Sequence, residues 1–362
     1  MKKNLLLLIV FTLTFGCYGQ INPSNKTESK RVLDSIISIT KTHSIYKNDV
    51  DWTKLEKQVY DRFIDSGSII SILEPTQYLL GELGDYHGFL VLNGKQYWTK
   101  NKKTRNVNYD YKSKIHKKKQ DKIVSMLIDQ KKIITKIISD SIAYIEVPFF
   151  LNNQGIDSIN SNYTLKLRKA ICNLSKTNPK GYIIDLRRNL GGTVYPMISG
   201  MGELLQNFDL GGTTIDTKNY NDKWTLKEGN FHFGKNSLSN IPEIKCHISI
   251  DNIPIVVLIG RYTASSGEVV ATALKGQNNV KLIGEQTAGY TTTNSWFSIS
   301  NNISLNPSIS FYMSEDKTIH KDGVYPDIVI NENLNVEDPL SGKVINEAIK
   351  WISTGYNNAG KK

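Results

Sequence analysis

Residues 255–284 constrain the fold of this chain more tightly than any other stretch. An apolar, β-branched run, Ile255–Ile259, is closed by Gly260. A turn carrying Thr263, Ser265, Ser266 and Gly267 follows, then residues of helical composition from 269 to 275, then a second apolar run, 280–283, ending in Gly284. Short apolar runs bounded by glycine predict buried strands rather than helices. Strand–turn–helix–strand with short links predicts an α/β layer. The hydroxyl residues at the strand-to-helix turn allow two readings. Ser and Thr before a helix are commonly N-caps. A hydroxyl exposed beside the free N–H groups of a helix start is also where an acyl-transfer nucleophile needs to sit, because fixed donors and the positive helix end meet developing negative charge.

A second stretch bears on that choice. Residues 181–192, GYIIDLRRNLGG, predict a strand over 182–186 running into charged residues and a glycine pair. Gly191 and Gly192 permit a backbone that approaches a substrate closely and aims N–H groups at it. They also fit a plain turn before a helix, since residues from Thr193 onward have helical composition.

Together, strand–DLR–N-x-GG, the TASSGE turn and the following GEQTAG resemble the S41 family of serine peptidases. That family includes the C-terminal (tail-specific) processing proteases, the tricorn core proteases and the retinoid-binding modules related to them. The resemblance covers residues 142–330 and a segment near 81–89. It implies an α/β fold whose core is a ClpP/crotonase-like ββα spiral, preceded by an N-terminal helical domain.

At 362 residues the chain can bury a sizeable core. Lys2 and Lys3 precede an apolar run, 5–15, too short to span a bilayer, which predicts an export signal over 1–19. Cleavage near Gly19 and lipid attachment at Cys17, the latter giving membrane association, are both open readings. The later cysteines, Cys172 and Cys246, could pair in an oxidising compartment or stay as buried thiols. No CxxC or His-rich cluster is present, so neither a metal nor another cofactor is expected. The net charge of +11 falls by two without Lys2 and Lys3, and much of the rest lies in 95–136, with Tyr97, Trp98, Tyr109 and Tyr111 interleaved. That pattern can signal nucleic-acid binding. An exported chain argues instead for a solvated basic face, or one attracting acidic peptides or a membrane surface.

In chain order, residues 20–94 read as a helical domain, with amphipathic spacing over 30–42 and 52–66, a third helix over 76–83, and a turn carrying Asp85 and His87 before a strand at 89–92. A basic connecting segment, 95–138, holds strands or a hairpin near 95–108 and competing helical and strand readings over 123–138. The peptidase-like core, 139–354, opens on a strand at 141–150, with a helix over 163–175. Residues 208–250 form a polar excursion in which FHFGKN reads as loop and hairpin and leaves His232 unassigned. Strands near 296–300 and 308–313 and a final helix over 340–353 follow, then a loose tail, 355–362. No PDZ domain is expected.

The resemblance assigns roles residue by residue. Ser265, three positions before Glu268, takes the nucleophile's place, with Ser266 as runner-up. Ser266 and one of Gly191 or Gly192 would supply oxyanion-hole N–H groups. The tail-specific branch uses a lysine in G-E-x-T-x-G-K, where this chain has Tyr290, and Lys275 and Lys281 lie outside the motif. His87, in helix–L-x-D-x-H–strand, resembles the histidine base of the tricorn and retinoid-binding branch. The acid that branch places before G-V-x-P-D is replaced by His320, three residues before Gly323. Asp85, Asp316, Glu315 and Asp322 stand as substitutes for the orienting carboxylate. Glu268 is either a supporting acid or a brace for the helix start.

Three function classes stay open: an exported serine endopeptidase acting on peptides or unfolded proteins; a weak or inactive homologue binding a peptide or apolar ligand in the same cleft; and a surface-interaction protein using the basic face.

Overall fold

The computed structural model describes residues 27–99, 114–129, 132–139, 141–152, 157–205, 208–238, 241, 246, 248 and 253–355. The export-signal reading, Cys17, residues 100–113 of the basic segment and the tail beyond 355 lie outside them.

Three helices open the described chain: α1 (Glu28–His43), α2 (Trp52–Tyr60) and α3 (Leu73–Glu82). Thr27 caps α1 by accepting the N–H of Lys30, and Asp51 caps α2 by accepting those of Thr53 and Lys54. A hairpin of β1 (Phe89–Leu92) and β2 (Lys95–Trp98) follows, then α4 (Lys114–Asp129), β3 (Ile134–Ile138) and β4 (Ile142–Glu146). Helix and strand both occur within the ambiguous 123–138 stretch, on either side of 130–131. Next come α5 (Asp157–Ser175), β5 (Gly181–Asp185) and α6 (Val194–Gly200). The polar excursion holds β6 (Phe208–Thr214), β7 (Asp222–Lys227), β8 (Asn230–Phe233) and β9 (Asn236–Ser237). Through residue 238 it is antiparallel sheet, with FHFGKN in the hairpin of β8 and β9; the strands β6 and β7 before it gave no clear periodic signal because glycine and charge interrupt their alternation. After it come β10 (Ile255–Ile259), α7 (Ser266–Lys275), β11 (Val280–Gly284), β12 (Thr292–Asn294), β13 (Phe297–Ser300), β14 (Ile303–Asn306), β15 (Ser308–Met313), β16 (Ile328–Val329) and α8 (Lys343–Lys350).

The central sheet has the order β16–β11–β10–β5–β4–β3, parallel except for the β3 edge. Its strands β4, β5 and β10 are buried on both faces, which is why they read as largely apolar runs. Alternation then sorts their side chains into two cores. Ala143, Ile145, Tyr182, Ile184, Ile255, Val257 and Ile259 face α5, α6 and α7, while Ile142, Tyr144, Ile183, Val256 and Leu258 face α8. The disulfide between Cys172 on α5 and Cys246, with Cα atoms 5.3 Å apart, answers the open cysteine question.

Two further sheets complete the α/β fold. In β13–β14–β1–β2, β1 of the N-terminal region pairs with β14, more than 200 residues downstream, Phe89 opposite Asn306 and Leu92 opposite Ile303. Val32, Leu33, Ile36 and Ile37 of α1 pack with Leu90, Ile303 and Leu305 of that sheet. The N-terminal helical region is therefore closed by a sheet half of which comes from residues 297–306. The third sheet runs β12–β15–β6–β7–β8–β9. Among the described residues no helix is long and apolar enough to cross a membrane, and no group of three His, Cys, Asp or Glu is placed to hold a metal.

Candidate active site

The β10-to-α7 connection runs from Gly260 to Ser265. Ser265 is the N-cap residue of α7, with φ 51 and ψ −121. That is not the extended backbone of an ordinary cap; it is a sparsely populated conformation for a residue with a Cβ, held only where surroundings over-determine it. The surroundings are specific. The N–H of Ala264 donates to the Asn189 carbonyl at 3.0 Å, and that of Ser265 to Glu268 Oε2 at 2.8 Å. Thr263 accepts from Gly260 N–H and donates to the Leu186 carbonyl, tying the turn to the end of β5.

The glycine pair lies against this turn. A Cβ on Gly191, whose φ is +103, would stand 2.7 Å from the Ala264 oxygen and 2.8 Å from Ser265 Cβ. One on Gly192 would overlap the Phe150 carbonyl. The Gly191 N–H donates to Asn189 Oδ1 at 2.8 Å, so that donor is already engaged. Among the described residues, the N–H groups of Gly192 and Ser266 have no hydrogen-bond partner. The Ser266 hydroxyl, the runner-up nucleophile, donates to the Gly192 carbonyl at 2.7 Å. That bond holds the Ser266 side chain on the glycine turn.

Glu268 is fully buried and accepts four hydrogen bonds: from Thr287 Oγ1 at 2.5 Å and Gly289 N–H at 2.8 Å on Oε1, and from Tyr290 and Ser265 N–H at 2.7 and 2.8 Å on Oε2. Burial pushes its carboxyl up to about 6 against the pull of these donors. It braces the helix start through Ser265 N–H and moors the GEQTAG loop through Thr287, Gly289 and Tyr290.

That loop carries Tyr290, the residue in the lysine's place, whose ring centroid lies 5.3 Å from that of His87. Glu268, Tyr290 and His87 thus link the Ser265 turn to the Asp85–His87 turn across 178 residues of sequence. His87 Nδ1 is 2.8 Å from Thr292 Oγ1, and its carbonyl accepts from Asn294 Nδ2 at 2.8 Å. Asp85 is fully buried and accepts from Gly88 N–H, Ser308 N–H and Ser308 Oγ. Burial raises its carboxyl above the ordinary range, while these donors favour the charged form.

The other candidate acids have other partners or are exposed. Asp316 serves its own turn through Ser314 and Thr318. Asp322 and Glu315 are exposed, and the Asp322 carbonyl accepts from Gln286. His320 offers its carbonyl to Thr291 Oγ1 and Gly323 N–H, and burial lowers its imidazole. Lys275 points to Asp327 and the Tyr325 carbonyl. His232 lies on β8, opposite Thr225.

Three residues of this site escaped sequence reasoning. Asn189 was visible as the N of N-x-GG, and its side chain holds Gly191 N–H while donating to the Val147 carbonyl. Thr292 and Ser308 gave no local signal, since the strands bringing them to His87 are distant in sequence.

The profile of Peptidase family S41 matches residues 141–330, more than half of the chain. The nisin-resistance protein of Lactococcus lactis subsp. lactis is 32% identical over 209 residues, covering 58% of this chain and 59% of that protein. The carboxy-terminal processing protease CtpA of Bacillus subtilis is 29% identical over 181 residues, 49% of this chain and 35% of CtpA. The chain therefore spans between about a third and three fifths of the length of these curated relatives. Among solved structures, a lipoprotein from Streptococcus agalactiae superposes with a TM-score of 0.64 at 20% identity, covering 93% of this chain and 99% of that one. The photosystem II D1 C-terminal processing protease does so at 0.51 and 14%, over 86% and 96%. Both show the same fold. The order of motifs, the glycine-packed serine turn and the match over 141–330 lead to one conclusion: this chain belongs to peptidase family S41, a family of serine peptidases.

Proposed function

We propose that this chain is an exported serine endopeptidase that hydrolyses peptide bonds in peptides or unfolded proteins. The observation that carries the reading is the Ser265 turn: a cap serine in a strained backbone, pressed against Gly191, with the N–H groups of Ser266 and Gly192 beside it and without a hydrogen-bond partner among the described residues. Ser265 Oγ attacks the scissile carbonyl carbon as His87 Nε2 takes its proton. The oxyanion is held by the Ser266 and Gly192 N–H groups. Collapse expels the amine, which receives the proton from His87, and water then releases the acyl group by the reverse assistance. Gly191 contributes by permitting the approach rather than by donating, because its N–H serves Asn189.

Export is supported by the Lys2-Lys3 leader and by the Cys172–Cys246 disulfide, which suits an oxidising compartment. The relatives named for nisin resistance and for carboxy-terminal processing support peptide or unfolded-protein substrates.

The test compares casein cleavage by wild type, Ser265→Ala, Ser266→Ala and His87→Ala at equal folded concentration. Loss in Ser265→Ala and His87→Ala with retention in Ser266→Ala is expected. Loss in Ser266→Ala alone moves the nucleophile by one residue. An inert wild type across substrates favours a binding module.

A further inference from the structure

We propose that Thr292 and Ser308 form a hydroxyl relay joining His87 Nδ1 to the buried carboxylate of Asp85, which fixes His87 as the Nδ1–H tautomer and leaves Nε2 as its basic nitrogen. The inference rests on the reading of His87 as the base and identifies what orients it.

The distances form an unbroken chain: His87 Nδ1 to Thr292 Oγ1 at 2.8 Å, Thr292 Oγ1 to Ser308 Oγ at 2.9 Å, and Ser308 Oγ to Asp85 Oδ1 at 2.7 Å. Proton counting gives the chain a direction. A carboxylate can only accept, so the single hydroxyl proton of Ser308 goes to Asp85. Ser308 Oγ must then accept from Thr292, whose one proton is thereby committed. Thr292 Oγ1 has only lone pairs left for His87, so Nδ1 must carry the hydrogen. Asn294 Oδ1, at 3.4 Å from Ser308 Oγ, is the rival acceptor and is much the longer contact.

The direction depends on Asp85 being ionised, and its setting supports that. The groups bonded to it are donors: the N–H groups of Gly88, Ser308 and His87 and the Ser308 hydroxyl. Three of the four are N–H groups that can only donate, and a carboxylate accepts all of them together with the hydroxyl; a protonated carboxyl would instead donate to Ser308 Oγ and reverse the chain, giving His87 the Nε2–H form, so the tautomer reads the direction. Thr292, Ser308 and Asp85 are all buried, so water does not compete for the relay. The same carboxylate also shapes the turn that carries His87, through Gly88 and Ser308 N–H. Asp85 thus positions both the backbone and the ring of His87 without touching the ring itself. This takes the place of the acid that the resemblance would put at His320.

The experiment is nitrogen-15 NMR of histidine-labelled protein at pH about 8.5, two units above the ordinary histidine value and so with imidazoles neutral. His87 is assigned by its loss in His87→Gln, and casein kinetics are measured on the same samples. Wild type is expected to show His87 protonated on Nδ1 and bare on Nε2. Thr292→Val, which keeps the side-chain shape and removes the hydroxyl, should release the ring towards the Nε2–H form that free histidine favours. Its kcat should fall about tenfold to a hundredfold, with KM within about twofold. Thr292→Ser restores a hydroxyl and should return both the tautomer and kcat to within about threefold of wild type. Ser308→Ala should match Thr292→Val; should it fail to fold, the Thr292 pair decides alone. An Nε2–H tautomer in wild type, or a Thr292→Val protein with unchanged tautomer and kcat, overturns the relay. If the tautomers behave as expected but wild type cleaves nothing, the relay stands and the peptidase reading falls.

Discussion

Glu268 Oε2 accepts the N–H of Ser265 at 2.8 Å and, on the same oxygen, the N–H of Tyr290 at 2.7 Å. One buried atom therefore holds together the strained serine turn and the loop whose tyrosine ring lies against His87. Glu268→Ala would leave four donors without an acceptor in a site with no solvent exposure. At about 1–3 kcal/mol for each orphaned group, with partial relaxation, a loss of ~4 kcal/mol or more in urea denaturation is expected. A loss within ~1 kcal/mol would mean the loop is moored by other contacts.

The same carboxyl makes a pH prediction with opposite signs for stability and activity. Burial lifts it from 4.5 to about 6. Between those values the folded chain holds more of a proton than the unfolded chain, so this contribution to stability is full below 4.5 and is lost as pH rises through 6. The change is about 2 kcal/mol, from 1.5 units at ~1.36 kcal/mol each. Activity should move the other way, because a protonated Glu268 turns its proton to Thr287 Oγ1 and holds the three N–H groups, that of Ser265 among them, without charge assistance. Glu268→Gln should flatten the stability slope between pH 4.5 and 6. Parallel slopes for wild type and Glu268→Gln would assign the dependence to another group.

Gly191→Ala separates steric from conformational effects. The added Cβ meets the Ala264 oxygen at 2.7 Å and Ser265 Cβ at 2.8 Å, and φ is +103. The serine must shift, and a displacement of about 1 Å can reduce turnover on the order of 10²-fold. Gly234→Ala is the control: it is strained by a φ of +57 but would meet nothing within 4 Å. It should lose about 1 kcal/mol of stability with unchanged turnover. Equal activities for the two variants would show that the contact of Gly191 with Ser265 is not needed.

What could be read from the sequence follows how local its cause is. The β10–α7–β11 unit was legible because a β-branched run, a hydroxyl turn and a helical segment each carry their own signal within 30 residues. His87 and Ser265 were named from motifs that keep order along the chain. The hairpin of β1 and β2 gave no hint that it pairs with residues 303–306, because strand pairing depends on partners and not on spacing. Thr292 and Ser308 were hidden for the same reason: a Thr on a short edge strand looks like any other until β15 lies beside it. Asp85 was nameable two residues from His87, yet its route to the ring passes through side chains more than 200 positions away.

The disulfide closes a loop of 74 residues between α5 and the segment before β10. Restricting the unfolded chain over that span is worth about 2–4 kcal/mol. Cys172→Ser with Cys246→Ser, or reductant on wild type, should lower the melting temperature by several degrees. Casein turnover at 25 °C should hold, because the bond joins α5 to the segment before β10 and not the Ser265 or His87 turns. Insensitivity of wild type to reductant, with the double variant melting normally, would show that the bond adds nothing to stability.

The charged residues of the DLRRN motif set up the last test. Arg188 reaches Glu146 with two nitrogens, Nε at 2.8 Å to Oε1 and Nη2 to Oε2, and donates Nη1 to the Val336 carbonyl at 2.7 Å. Both side chains are almost wholly buried, at 3% and 1% exposure. Burial raises the Glu146 carboxyl while Arg188 pulls it back. A buried pair is costly to break from one side, because the partner is left as an uncompensated charge. Arg188→Met should therefore cost about 3–5 kcal/mol in urea denaturation, and Glu146→Leu a similar amount. The double variant removes both charges and should be less destabilised than the sum of the singles by up to ~3 kcal/mol. Part of the Arg188 cost must remain, since its bond to Val336 holds the segment between β16 and α8 against the sheet end. Strict additivity within ~0.5 kcal/mol would mean the two charges are solvated separately and that Arg188 acts through Val336 alone.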